Sequence, residues 1–307
     1  YPLKYRHDFI TNMLKAMNDF SEMFCTPSFD VKRFRDFFEL PADVKDVERT
    51  KRIHEKLLKL KGTTTLEKEQ RRNETSKIRC VVLCIETRPD CALPVHIDDI
   101  LKLGGTRVEL GVQSLYDLVL EKVERGHNNQ ATIDATRRLR DAFMKVGYHM
   151  MLGLPGSTHE TDVTMFKELF ANQAYRPDAL KIYPCLVFKG TKLYQQWERR
   201  EFQPIGAHEA AQRIIELKKY VQPYCRIMRV QRDIPTYMVE AGVEKTNLRQ
   251  EILELMQKKK IKCRCIRCRE PKSMDINWKD VKLQRYDYEA SQGTEIFLSF
   301  DDKKKDK

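Results

Sequence analysis

Between Cys80 and Pro184, four short runs rich in β-branched and apolar residues alternate with longer stretches of helical period. The runs are Cys80–Glu86, Thr106–Gly111, Val146–Leu152 and Asp178–Pro184. This rhythm leaves few options, because strands separated by helices pair in parallel through right-handed crossovers, in an open doubly wound sheet or a closed barrel. The intervening segments Ile97–Leu103, Ala131–Phe143 and Asp162–Phe170 carry apolar residues three and four apart with charges opposite, so each can cover a sheet. Both architectures place a ligand at the C-terminal strand ends. Polar residues gather there: Glu86 to Asp90, Glu109 to Ser114, His149 ahead of Gly153-Leu154-Pro155-Gly156-Ser157, and Lys181 to Pro184. Glu86 can accept two hydrogen bonds from a ribose, and the glycine turn lets backbone approach a ligand closely. Singly, a strand-end Glu or a Gly-Leu-Pro-Gly turn is an ordinary structural feature; four in succession favour a site.

Charge narrows the class of partner. The 57 Lys+Arg against 45 Asp+Glu give a net charge of +12, which favours a polyanion. The nine cysteines are odd in number and unevenly spaced, which suits the reducing cytosol or nucleus. The longest apolar run, Cys80–Ile85, is far short of the roughly 20 residues a membrane-spanning helix needs. Tyr1 follows no initiator Met, so the chain reads as a fragment. In residues 30–79, 25 of 50 are Asp, Glu, Lys or Arg, and only Val31, Phe34, Phe37, Phe38 and Leu40 form a compact apolar stripe. This predicts a docked short helix followed by a solvated, partly disordered insertion. Val281 to Tyr288 and Thr294–Phe300, flanking Ser291-Gln292-Gly293, predict a β-hairpin.

Lys262–Arg269 reads Lys-Cys-Arg-Cys-Ile-Arg-Cys-Arg. In an extended segment Cys263 and Cys265 share a face, and Cys268 returns across a bend, so three thiolates can reach one tetrahedral metal such as zinc. The rival reading is a solvated basic strand with incidental thiols. The basic run from Lys258 through Lys262 and Arg264 to Arg269, preceded by Arg226, Arg229, Arg232 and Arg249, can neutralise RNA phosphates.

Taken together, Ile85–Asp90, Glu109–Ser114, Arg125-Gly126-His127, Gly153–Ser157, Lys181–Pro184, Gly190-Thr191 with Leu193-Tyr194 and Trp197, Arg226–Pro235 and Asn247-Leu248-Arg249 resemble the catalytic subunit of the Elongator complex. The resemblance implies an α/β fold: a partial radical S-adenosylmethionine (SAM) barrel of parallel strands, then a linker and the first hairpin of a GNAT-type acetyltransferase domain. It divides the chain into a barrel helix (1–24), a charged insertion (25–79), the barrel core (80–235), a basic, Cys-rich linker (236–280) and the start of the acetyltransferase domain (281–307). The implied activity is C5 carboxymethylation of the transfer-RNA wobble uridine, with acetyl-CoA, SAM and a [4Fe–4S] cluster as cofactors. The transfer-RNA anticodon stem-loop and other Elongator subunits are the implied partners, in the cytoplasm and nucleus. By the same resemblance Glu86 contacts the SAM ribose, Gln113 and Ser114 its amino-acid end and Arg125 its carboxylate, while His149 lines the cavity. Lys181 and Tyr183 are assigned to the catalytic cavity, Arg229, Arg232 and Asp233 to the cavity or the RNA, and Cys263, Cys265 and Cys268 to zinc.

Two departures accompany the match. The cluster-binding cysteine loop of the family is expected upstream of Tyr1, since Cys80, Cys84 and Cys91 have the wrong spacing, and the CoA-binding loop is expected beyond Lys307. The chain alone is therefore expected to lack the complete reaction. Two rivals stand beside it: a non-catalytic RNA-binding scaffold that kept the barrel, and a metal-dependent hydrolase, for which His149 alone is too few ligands.

Overall fold

Five parallel strands in sequential order form the central sheet: β1 (Cys84–Thr87), β2 (Arg107–Gln113), β3 (Lys145–Leu152), β4 (Ala179–Pro184) and β5 (Arg226–Arg229). They belong to a computed structural model that describes residues 1–244, 247–304 and 307. Between the strands lie α5 (Pro94–Lys102), α6 (Asp117–Lys122), α7 (Asn129–Asp141), α8 (His159–Ala171), α9 (Lys192–Glu198) and α10 (Ala207–Leu217). One face of the sheet is apolar: Val108, Leu110, Val146, Tyr148, Met150, Leu180 and Ile182 are fully buried, alongside Ala135 and Leu139 of α7. Alternation along each strand sends the intervening residues to the other face, and those residues are polar. This is the α/β architecture of parallel strands alternating with helices expected from the sequence.

Two boundaries differ from expectation. The first strand begins only at Cys84, because Val81 and Val82 are exposed and have no sheet neighbour outside β1, an edge strand. β5 is an additional strand, whose four residues Arg-Ile-Met-Arg offer only Ile227 to the core.

The chain separates into two compact units, Tyr1–Leu83 with Asp99–Gly105, and Cys84–Asp98 with Thr106–Lys307. In the first, α1 (Leu3–Phe24) buries Ile10, Leu14, Asn18, Ser21 and Phe24 along one face. The stretch expected to be partly disordered instead carries α2 (Val31–Phe38), α3 (Val47–Leu60) and α4 (Leu66–Glu74). Each is capped: Asp30, Asp46 and Thr65 accept from the backbone N–H three residues on. Buried Glu69 of α4 accepts from Asn18 of α1 at 2.8 Å and pairs with Arg72 at 3.0 Å, so the charges are spent on tertiary contacts.

In the second unit, α11 (Leu248–Lys258) and the short α12 (Ile266–Arg269) lead to a hairpin of β6 (Val281–Ala290) and β7 (Gly293–Asp302). Its two-residue turn has Ser291 at φ 50° and Gln292 at φ 68°, the left-handed pair that matches strand twist. Tyr288 stacks on Tyr224 with ring centroids 3.8 Å apart, whereas Leu283, Ile296, Leu298 and Phe300 form an exposed apolar outer face.

Candidate active site

Glu109 sits at the centre of the polar face of the sheet, on β2, with only 4% of its surface exposed. A carboxylate there needs compensation. His149 Nε2 of β3 donates to it at 2.8 Å, Arg107 Nη2 pairs with it at 2.9 Å, and the Lys181 ammonium of β4 closes the group. Lys181 also reaches Glu86 of β1 at 2.6 Å. Burial alone would raise the Glu109 carboxyl, but the hydrogen bonds from His149 and Lys181 and the charge of Arg107 outweigh it and hold the group at about 2. Burial lowers the Lys181 ammonium less than Glu109 and Glu86 raise it, so it stays charged. Burial, reinforced by Glu109, pushes the Cys84 thiol up to about 11, which removes it as a nucleophile. Gly147 opposite Glu109 makes the arrangement possible, because a Cβ there would lie 3.0 Å from Glu109 Cγ and 3.4 Å from Arg107 Nη2.

These residues open onto a cleft of about 720 Å³ whose rim includes Glu86, Arg229, Asp233, Arg249 and Arg267. Tyr183 lies beside this group on β4. Its ring meets His149 edge-on at 5.7 Å, and Arg232 lies 5.9 Å from the ring centroid on the other side. The polar groups stand partly inside the strands rather than only at their C-terminal ends, since Glu86, Glu109, His149 and Lys181 are followed by further strand residues. Arg107 is the member that sequence reasoning left out of the site, and Glu109, placed among the strand-end polar residues, was given no role there. The available signal was a Glu on the face opposite Val108 and Leu110 in a strand otherwise buried.

At the end of β2 the register shifts between Leu110 and Gln113, and Gln113 adopts φ 69°. The bulge brings Arg125 Nη2 within 2.8 Å of the Gly111 carbonyl, with His127 Nε2 at 3.2 Å from the same oxygen. Gly111 leaves room for this contact, because a Cβ there would displace the Arg125 guanidinium. Arg125 Nε is buried without a hydrogen-bond partner among the described residues, and burial lowers this guanidinium. Ser114 is buried, and its hydroxyl accepts from the Tyr116 backbone at 3.2 Å. The glycine turn after β3 is pinned by Asp162, which accepts from Gly153 N at 2.9 Å and from Arg213 at 2.6 Å. Glu86 and Lys181 thus line the cleft, His149 and Tyr183 stand next to them through Glu109 and through each other, and Gln113, Ser114 and Arg125 gather at the end of β2.

The cysteine segment alternates as the sequence implied: Lys262 and Arg264 are exposed, Cys263 and Cys265 buried. Cys268 returns on α12, and the three sulfurs lie within 4.8 Å of one another. Among the described residues the one other group that could hold a cation is Glu86, Glu109 and His149, whose centre the Lys181 ammonium already serves. Cys80, Cys84 and Cys91 form no such trio among the described residues. Of the basic residues, Arg226 pairs with Glu270 at 3.1 Å, Arg229 with Asp233 at 2.9 Å, and half-buried Arg249 donates to the Met228 carbonyl at 3.1 Å.

Residues 24–169 match the family model of the Radical SAM superfamily and residues 177–258 that of the Radical_SAM C-terminal domain. A tRNA uridine(34) acetyltransferase of Methanocaldococcus infernus is 50% identical over 248 residues, covering 79% of this chain and 46% of that protein. Elongator complex protein 3 of Homo sapiens is 40% identical over 238 residues, covering 76% and 44% respectively. The chain therefore spans less than half the length of these curated relatives. A solved structure of the archaeal Methanocaldococcus infernus Elp3 with an N-terminal deletion superposes with a TM-score of 0.83 at 42% identity, over 100% of this chain and 64% of that one. Among the described residues no helix is long and apolar enough to cross a membrane.

Proposed function

We propose, from the premise that the chain belongs to the family of tRNA uridine(34) acetyltransferases and Elongator complex protein 3, that its cleft binds SAM and its basic rim receives a transfer-RNA anticodon loop. The reaction served is C5 carboxymethylation of the wobble uridine with acetyl-CoA, other Elongator subunits being the assembly partners. The observation that carries this reading is a pair of groups on neighbouring strands: Glu86, an exposed carboxylate on β1, and Arg125, a half-buried guanidinium held at the end of β2 whose Nε has no hydrogen-bond partner among the described residues. Together they suit the two ends of SAM, the ribose hydroxyls and the amino-acid carboxylate.

SAM, with a reduced iron–sulfur cluster, supplies hydrogen-abstraction chemistry when bound. Cys80, Cys84 and Cys91 do not fit the cluster, so this chain's part is to bind and orient. Lys181 divides its ammonium between Glu86 and Glu109, and Glu109 is the more buried partner, with 5% of its side chain exposed against 59% for Glu86. A ribose can therefore exchange onto Glu86 while Lys181 stays on Glu109. His149, held by Glu109, meets the Tyr183 ring edge-on, and these contacts fix the polar group that faces the ligand. Exposed Lys262 and Arg264, with Arg229 and Arg232 at the cleft, supply the phosphate-facing charge. The three cysteines fit zinc by convergence, burial and chemistry, and a tetrahedral ion there would staple the linker beside β5, where Ile266 N already donates to Cys225 O at 3.1 Å.

Calorimetric titration of the chain with SAM tests the assignment. Glu86→Ala and Arg125→Ala are each expected to weaken binding at least tenfold, about 1.4 kcal/mol. Unchanged affinity in both variants would refute the placement of SAM.

A further inference from the structure

Three well-buried cations of the second unit have a carboxylate: Arg213 has Asp162 at 2.6 Å, Arg140 has Glu295 at 2.6 Å, and Lys181 has Glu109. Lys218 differs. It caps the C-terminal end of α10 with 2% of its surface exposed, and among the described residues no carboxylate pairs with it. Its Nζ instead donates to Cys268 Sγ at 3.4 Å, facing the trio of Cys263, Cys265 and Cys268. A helix C-terminus favours a cation, which accounts for a lysine at this position but not for directing its ammonium inward onto sulfur. An ammonium buried against neutral thiols is poorly compensated, because a thiol sulfur is a weak acceptor. The arrangement makes electrostatic sense once the sulfurs carry charge.

We propose that Lys218 is the resident counter-charge of the three-cysteine centre, and that its ammonium sets how tightly a divalent metal is held there. The inference rests on the metal reading of these cysteines given above and extends it to a residue that is not a ligand. A divalent ion with three thiolates carries one negative charge, and one buried ammonium cancels it. Arg249 also acts on Cys265 and Cys268 through space, but it donates to the Met228 carbonyl, so Lys218 is the cation that touches a sulfur of the trio among the described residues. Lys218 is thus a positioning residue that works through charge, comparable to the outer groups that orient metal ligands elsewhere.

The test compares the chain with Lys218→Met, which keeps the apolar stem, Lys218→Gln, which keeps a donor without charge, and Lys218→Arg, which keeps charge. Zinc affinity is measured by competition with a chromophoric chelator, and the cobalt(II)-substituted proteins report thiolate ligation through their charge-transfer absorption. The expected result is at least a tenfold loss of zinc affinity in Lys218→Met and Lys218→Gln, about 1.4 kcal/mol. Lys218→Arg should stay within about threefold of the parent, with the cobalt–thiolate band per bound metal the same in all four. Equal affinity in Lys218→Met and the parent overturns the proposal, as does a fall in Lys218→Arg as deep as in Lys218→Met, which would mark packing as the cause. If the parent chain takes up neither zinc nor cobalt, the metal reading itself fails and this inference falls with it, an outcome distinct from the first two. The melting of the metal-free proteins guards against misfolding: Lys218→Met should unfold no earlier than the parent, because it removes a poorly paired buried charge.

Discussion

Glu109 shows how one buried group can organise a face of a sheet. Its folded carboxyl is held near 2 against an ordinary 4.5 despite burial, because His149 and Lys181 donate to it and Arg107 adds charge. A carboxyl depressed on folding adds stability that is complete above its ordinary value and is lost as the pH falls towards the folded one. Glu109→Gln, which leaves Lys181 and Arg107 without their charge, is expected to cost about 3 kcal/mol at neutral pH. The difference from the parent in urea unfolding should shrink as the pH drops from about 4.5 towards 2; a gap constant with pH would refute this assignment. Glu86, Lys181 and His149 were legible from sequence because they precede turn signals at the ends of apolar runs. Glu109 was legible only as one polar residue of such an end, since a carboxylate becomes the centre of a site only once the neighbouring strands deliver its cations, and a linear pattern does not show which residue of β3 or β4 lies opposite.

At the scale of elements, the sequence spoke most clearly where apolar periodicity was strong. β2, β3 and β4, with α7 and α8, fall within a few residues of where alternation and helical spacing put them. β5 escaped because a four-residue strand with an arginine at each end carries no alternation to detect. The charged stretch misled for another reason: half its residues are ionic, which weighs towards disorder, yet the caps Asp30, Asp46 and Thr65 and the apolar spacing of Ile53, Leu57 and Leu60 were all present. Composition averages over a segment, whereas a helix needs only one good face and two ends. Asp46→Ala removes the 2.9 Å hydrogen bond from Arg49 N and is expected to cost about 1 kcal/mol. Faster amide exchange confined to α3 would register it, and exchange at random-coil rates across α2 to α4 in the parent would refute the helices themselves.

For the molecule as a whole, the net charge of +12 makes the RNA binding proposed above a function of ionic strength. Binding of an anticodon stem-loop should weaken linearly on a log–log plot against salt, losing about 0.7 in slope for each single-strand phosphate contact. Replacing exposed Lys262 and Arg264 together by Gln should flatten that slope by more than one, and a salt-independent affinity would remove phosphate contacts from the account. The same salt has an opposite effect elsewhere on the surface. Leu283, Ile296, Leu298 and Phe300 leave one side of the terminal hairpin apolar and open, and mutual repulsion between like-charged copies keeps such faces apart in dilute buffer. Screening that repulsion lets the hairpins meet, so light scattering by the isolated chain should rise across the concentrations of salt that release RNA. Salt high enough to displace a bound polyanion is then the condition under which the colloidal stability of the isolated chain is expected to be lowest.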